Sequence, residues 1–241
     1  NKGELKSLRR QMQMIFQDPF ASLNPRMTVE EIIAEPLFIY KVGSKQEIYA
    51  KIKKLMDTVG ISERIANAYP HELDGGRRQR VGIARALALE PKLIVCDEPV
   101  SALDVSIQAQ ILNLMQDLQE EYQLTYIFIT HDMSVVKHIS DHILVMYMGC
   151  VVEYAPSDIL FAKRYHPYTN ALLSAVPVPD IHAVREDHLL TGEVTSPLNP
   201  RPGCRFAARC PYKSEKCGIT DCELLEVEQD HFVACHHPRN I

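Results

Sequence analysis

At 241 residues with 46% hydrophobic content, the chain can bury a substantial core, and its length allows one or two domains. Its formal net charge of −5 gives no electrostatic basis for binding nucleic acid. The longest nearly apolar run, Ile143 to Val152, falls far short of the roughly 20 residues of a membrane helix, and no charged-then-apolar leader is visible, so composition predicts a soluble chain without a secretion signal.

Gln11 to Phe16 reads as a short strand, with the first residues leading into it. Asp18, Pro19, Asn24 and Pro25 then predict a loop, because prolines interrupt regular structure. Thr28 is placed to cap a helix whose first turn carries Glu30 and Glu31, favourable for the helix dipole. Over residues 46 to 59, Ile48, Ile52, Leu55, Met56 and Val59 follow the period of an amphipathic helix. Gln79 to Leu89 predicts another helix, ended near Pro91. These elements make a helical subdomain over about residues 27–90.

Leu93, Ile94, Val95 and Cys96 read as a strand buried on both faces, which brings Asp97 and Glu98 to its carboxyl end. That end is where α/β proteins bind ligands. Two neighbouring anions are costly to bury unless a cation or a proton-transfer task compensates, so a purely structural Asp-Glu pair is the weaker reading. Ile107, Ile111, Leu114 and Leu118 stripe a helix from Val105 to Tyr122 that packs on the sheet. A strand from Leu124 to Thr130 delivers His131. Ile143 to Met148, Gly149 and Val151 to Tyr154 predict a hairpin at the sheet edge. Beyond Pro156 the periodicity fades and prolines recur at 167, 177, 179, 197, 200 and 202, which places a domain boundary there.

Five of the seven cysteines, Cys204, Cys210, Cys217, Cys222 and Cys235, lie in the tail, separated by 5, 6, 4 and 12 residues. Cys96 and Cys150 sit in apolar strands and read as inert core residues. Disulfides are disfavoured because nothing suggests an oxidising compartment. Zinc has His231, His236 and His237 nearby, although the spacing is not that of common zinc folds. A [4Fe–4S] cluster needs four thiolates and tolerates wide spacing. From the residues alone, cluster, zinc and reduced thiols all stay open.

The run LIVCDEPVSALD, Leu93 to Asp104, resembles the Walker B element and D-loop of ATP-binding cassette (ABC) ATPases. The resemblance extends in the right order through MIFQDP, ending the strand at Gln17 as in a Q-loop, through HELDGGRRQR as in the ABC signature, and through THD with His131 as a switch histidine. It implies an α/β fold: a RecA-like ABC-type P-loop NTPase core with a helical subdomain and a Cys-rich C-terminal extension. It also implies ATP and Mg²⁺ as cofactors. Gln17 would contact the metal and water, Asp97 the metal shell, Glu98 the attacking water, His131 the γ-phosphate, and Asp104 would bridge a dimer. Phosphoryl transfer needs these services of metal placement and water orientation. The family's phosphate loop, GxxxxGK[ST], is not found in these residues, so the core reads as incomplete, and the 241 residues by themselves are expected to bind ATP weakly and not to hydrolyse it.

Leu73, Asp74, Gly75, Gly76 and Arg77 stand where the family usually has LSGGQ, whose Ser hydroxyl and glycine N–H groups contact the partner's γ-phosphate. A lost hydrogen bond to phosphate costs about 1.5–3 kcal/mol, and a carboxylate near phosphate adds repulsion. A milder interpretation has Asp74 as a helix cap neutralised locally by Arg77.

HPYTNALLSAVP from residue 166, GCRFAARCPY and the later VACHH resemble the C-terminal extension of dipeptide/oligopeptide importer ATPases. Some members of that family carry a [4Fe–4S] cluster there, which maps on this sequence to Cys204, Cys210, Cys217 and Cys235. The expected organisation is an ATPase domain over 1–155 and an extension over 156–241, with the Cys-rich module at about 197–238. The implied partners are a second ABC ATPase subunit, identical or different, two membrane permease subunits, and indirectly an extracytoplasmic solute-binding protein, with no nucleic acid. The implied location is peripheral, at the cytoplasmic face of the cell membrane. Alternatives are a non-hydrolysing or degenerate-site subunit with a regulatory role, and an importer ATPase for nickel or another small solute.

Overall fold

The structure is a computed structural model that describes residues 1–176, 190, 192, 198–199 and 202–239. The chain packs as two units, residues 1–131 and 132–241. Pro177, Pro179, Pro197 and Pro200 of the expected proline-rich stretch lie outside the described residues.

The first unit is built on three parallel strands, β1 (Met12–Ile15), β2 (Leu93–Asp97) and β3 (Thr125–Ile129), in the order β1-β2-β3. Parallel neighbours need long crossovers. Between β1 and β2 the chain forms a helical block, and between β2 and β3 it forms one 18-residue helix. With α1 (Lys2–Gln11) leading into β1, the block comprises α2 (Pro19–Ser22), α3 (Val29–Ile39), α4 (Lys45–Thr58) and α5 (Gly75–Leu87); the crossover helix is α6 (Val105–Tyr122). Each longer helix after α1 starts on a side chain that accepts an orphan N–H: Thr28 and Ser44 in capping boxes with Glu31 and Glu47, then Asp74 and Asp104. The core of the block interlocks Ile32, Ile33 and Leu37 with Ile52, Met56, Val81 and Ile83, all nearly fully buried.

Several expectations need correction. Residues 2–11 form a helix with no buried residue, so the strand expected from Gln11 to Phe16 shrinks to Met12–Ile15. The helix expected from Gln79 starts at Gly75, because Asp74 accepts the Arg77 N–H and nucleates the turn earlier. The β2 strand, expected to be buried on both faces, is buried on one: Ile94 and Cys96 are buried while Leu93 and Val95 are only half-buried, and their face continues into exposed Met12, Met14, Phe16, Ile127 and Ile129. On α6, Ile111 and Leu118 of the expected stripe are buried together with Leu112 and Met115, whereas Ile107 and Leu114 are half-buried.

The second unit contains a four-stranded antiparallel sheet, β4 (His142–Tyr147), β5 (Cys150–Pro156), β6 (Leu225–Glu228) and β7 (His231–Val233), in the order β4-β5-β7-β6. The expected hairpin forms as β4–β5 through Met148 and Gly149, both at positive φ (48° and 78°), which suits the twist of a two-residue loop. It does not edge the parallel sheet; its partner is β7 from the tail. Three helices, α7 (Met133–Ile139), α8 (Ser157–Ala162) and α9 (Pro167–Ser174), complete the described secondary structure apart from short 3-10 turns. The core gathers Ile143, Val145, Tyr147, Val152, Ala155 and Leu160 around Phe206, which meets Tyr147 edge-on at 5.2 Å between ring centroids. Among the described residues no helix is long and apolar enough to cross a membrane.

Candidate functional site

Parallel register carries the site. Ile15 pairs with Cys96 and Asp97 with Ile129, so the residues just past each strand's carboxyl end become neighbours although they are 81 and 33 positions apart in sequence. Gln17 Nε2 donates to Glu98 Oε2 at 2.7 Å, and His131 Nδ1 lies 3.1 Å from Glu98 Oε1. The Glu98 side chain is 23% exposed and that of His131 is 74% exposed, so the pair is reachable from solvent. Glu98 has φ +44°, a left-handed conformation that costs a non-glycine residue about 1–2 kcal/mol. It is held there by its own N–H donating to the Ile129 carbonyl at 2.9 Å and by the Ser101 hydroxyl donating to its carbonyl at 3.0 Å. Backbone strain of this kind collects at functional sites.

Asp97 ends β2, half-buried, beside this group. A carboxylate with one oxygen held by an amide and the other by an imidazole can orient a water molecule and take its proton. Two adjacent carboxylates also supply the hard oxygen donors of Mg²⁺, which usually takes one or two from protein and the rest from water and phosphate. The donor set fits that cation without requiring a closed protein cage, and among the described residues no group of three His, Cys, Asp or Glu side chains forms one.

At the start of α5, Asp74 Oδ1 accepts the Arg77 N–H at 2.7 Å while Oδ2 lies 3.4 Å from Arg77 Nε, both side chains being more than half exposed. A Cβ on Gly76 would stand 2.7 Å from Ile107 Cγ2, so α5 and α6 approach too closely there for any side chain. Gly75 is tight to a lesser degree, a Cβ there standing 3.1 Å from Leu103 Cδ2. Asp104 caps α6 by accepting from the Ile107 N–H at 3.1 Å and the Ser106 hydroxyl at 3.0 Å, and these bonds hold its carboxyl below the usual carboxylate range. The structure thus brings Gln17, Glu98 and His131 together and sets Asp97 beside them, while Asp74, Gly75, Gly76, Arg77 and Asp104 belong to a separate α5–α6 junction in the same unit.

Residues 1–101 match the family described as ABC transporter, and residues 152–217 match the oligopeptide/dipeptide transporter, C-terminal region. The chain is 54% identical over 235 residues to the oligopeptide transport ATP-binding protein OppF of Escherichia coli (strain K12), covering 96% of this chain and 70% of that one. The chain belongs to the family of oligopeptide-transport ABC ATP-binding proteins. The putative oligopeptide transport ATP-binding protein YkfD of Bacillus subtilis (strain 168) is similarly related, 52% identical over 243 residues, which cover 100% of this chain and 74% of that protein. Among solved structures, the ATP-binding cassette MJ0796, a dimer in a post-hydrolysis state bound to ADP and Pi, superposes with a TM-score of 0.57 at 32% identity over 65% of this chain and 68% of that one. The cbiO1 protein from Clostridium perfringens, part of the ABC transporter complex cbiONQ, gives 0.61 at 28% identity over 67% and 63%.

In this ABC ATP-binding protein no disulfide joins the tail cysteines as placed, and burial raises the thiols of Cys210 and Cys235 above their ordinary values, with the other cysteines near enough to add to the effect. Cys204, Cys210, Cys217 and Cys235 share one neighbourhood. Among the described residues, no three of these side chains are placed to hold one shared metal ion. The histidines considered as zinc donors are engaged elsewhere: His231 Nε2 with Glu153 Oε1 at 2.8 Å, His236 Nε2 with the Thr220 carbonyl at 2.9 Å, and His237 Nε2 with Ser214 Oγ at 2.8 Å. Cys96 is fully buried, which pushes its thiol up to about 12 and leaves it inert.

Sequence reasoning missed Glu153, which is fully buried in β5. Besides His231, it accepts the Tyr165 N–H at 2.8 Å and the His166 N–H at 3.0 Å, and so clasps the tail strand β7 to β5. The available signal was a lone glutamate inside the apolar run Val151 to Ala155.

Proposed function

We propose that this chain is the ATP-hydrolysing subunit of an ABC importer for di- and oligopeptides, working peripherally at the cytoplasmic face of the membrane with a second ATPase subunit and two permease subunits. The carrying observation is the meeting of Gln17, Glu98 and His131 at the strand ends, in a chain whose relatives bear oligopeptide-transport names. Glu98 takes a proton from the water that attacks the γ-phosphate, and Gln17 and His131 hold its carboxylate at the correct angle. Asp97 anchors the shell of Mg²⁺, which when bound neutralises phosphate charge. The signature Asp74 to Arg77 faces the partner's nucleotide, and Asp104 lies at that junction. The ATPase domain spans 1–155, and the extension 156–241 carries the Cys-rich module, a reading supported by the C-terminal region match that begins at residue 152. Cys204, Cys210, Cys217 and Cys235 are the residues that would hold a [4Fe–4S] cluster, a reading supported by their shared neighbourhood.

The test is reconstitution of the full-length protein with its partner ATPase and permeases in vesicles. ATP-driven accumulation of labelled di- and tripeptides, abolished by Glu98→Gln, is expected. Uptake of nickel without peptide, or ATP turnover with no solute movement, would overturn the peptide assignment.

A further inference from the structure

The turn that follows Gln17 is tied to α5 by two arginines. Asp18 begins α2 by accepting the Phe20 N–H at 2.8 Å, and the Ser22 N–H donates to the Asp18 carbonyl at 3.0 Å, so residues 18–22 form a closed helical turn directly after the glutamine. β1 ends at Ile15, and Phe16 and Gln17 are both exposed, so the strand itself does not fix the glutamine. Pro19 and Leu23 are buried and seat the turn, but apolar burial has no direction. The directional contacts come from α5. Arg85 Nη1 donates to the Ser22 carbonyl at 2.7 Å. The Arg78 guanidinium lies 5.0 Å from the centre of the Phe20 ring and is itself held by Nε donating to the Pro70 carbonyl at 2.7 Å. Burial lowers the Arg85 guanidinium from its ordinary value, against the pull of Glu35, so its bond is made largely out of water, where a charge-assisted contact is strong.

We propose that Arg78 and Arg85 are positioning residues that hold Gln17 against Glu98 by fastening the intervening turn to α5. This role rests on the reading in which Glu98 activates the attacking water, and it acts through Gln17, whose Nε2 donates to the Glu98 carboxylate at 2.7 Å. α5 is a firm reference for the turn, because Gly76 at its start packs against Ile107 of α6 with no room for a side chain between them. Releasing either arginine leaves the turn seated on Pro19 and Leu23 but free to rotate, and the Gln17 amide then loses its distance or angle to Glu98. Proton transfer depends steeply on such alignment, and a displacement of about 1 Å costs up to about 10²-fold in rate. Nucleotide affinity does not depend on that hydrogen bond.

The experiment measures steady-state ATP turnover by the full-length protein assembled with its partner ATPase and permeases, with Glu98→Gln setting the background. Arg85→Met keeps the apolar stem and removes the donor. It should lower kcat about tenfold with KM for ATP unchanged, and Arg85→Met combined with Gln17→Ala should be no slower than Gln17→Ala alone. Phe20→Leu removes an exposed ring, at little risk to folding, and should lower kcat about threefold in the same non-additive way. Amide hydrogen exchange over residues 17–23 is read on the same proteins and should be faster in both variants than in wild type. Losses that add to that of Gln17→Ala, an unchanged kcat in both variants, or unaltered exchange would overturn the proposal. Intact turnover in Glu98→Gln together with faster exchange in Arg85→Met would fell the hydrolytic reading and uphold the fastening of Gln17.

Discussion

Each unit carries a glutamate hydrogen-bonded to a histidine, and the two pairs differ in little but burial. Glu98 and His131 meet at 3.1 Å beyond the ends of two parallel strands, with the imidazole 74% exposed. Glu153 and His231 meet at 2.8 Å between antiparallel strands, and neither side chain is exposed at all. An exposed pair can exchange protons with water and touch a substrate. A fully buried pair cannot, and removing one partner strands a charge in a low-dielectric interior. The same two residue types are therefore open to solvent in one unit and hold a tail strand in the other.

Matched glutamine substitutions break this contrast most directly. Glu98→Gln in the full-length complex is expected to cut phosphate release by about 10²-fold or more while leaving the unfolding midpoint unchanged. Glu153→Gln should do the reverse. The Glu153 carboxylate accepts from Tyr165 and His231 on one oxygen and from His166 on the other, and an amide can accept on only one of them. The expected loss is on the order of 3 kcal/mol in urea unfolding, with turnover per folded molecule intact. Full turnover by Glu98→Gln would remove the catalytic assignment, and an unshifted midpoint for Glu153→Gln would remove the clasp.

A pH titration sharpens the same distinction. His166 is buried, which pulls its pKa down to about 4 from 6.5, and its Nδ1 must stay unprotonated to accept the Tyr168 N–H that caps α9. The folded pKa lies below the unfolded one, so the unfolded chain binds more protons between them. Stability is then fully present above pH 6.5 and falls as the pH drops toward 4, by roughly 3 kcal/mol in all. Urea midpoints of the wild type from pH 7 to 4 should drop faster than those of His166→Asn, which keeps a capping oxygen without the titration. Equal slopes would refute the assignment.

The Gln17–Glu98–His131 cluster was legible because its residues sit at strand ends, where a short apolar run followed by a polar residue marks both the strand and its exit. Gln17, Glu98 and His131 each follow such a run. Their convergence also needed strand order, which the lengths of the helical crossovers constrain. The clasp was illegible for the opposite reason: Glu153 and His231 lie 78 residues apart, and nothing local announces that an antiparallel tail strand will pair with β5. Helix 2–11 escaped because its pattern, with Leu5 and Leu8 exposed, buries nothing that periodicity could detect.

The smallest expected effect concerns the signature. Asp74 already fills the anion-attracting end of α5 with its own carboxylate, bonded to the Arg77 N–H and paired with its guanidinium. An exposed ion pair of this kind is worth roughly 0–1 kcal/mol, too little to match the about 1.5–3 kcal/mol of a hydrogen bond to phosphate. The deficit, on the order of 1 kcal/mol, corresponds to about a fivefold change in rate. Asp74→Ser with Arg77→Gln in the full-length complex should therefore raise ATP hydrolysis severalfold, with the helix still capped by serine. Unchanged hydrolysis would mean that Arg77 replaces the missing hydroxyl toward the partner's nucleotide, and that the carboxylate is neutralised where it stands.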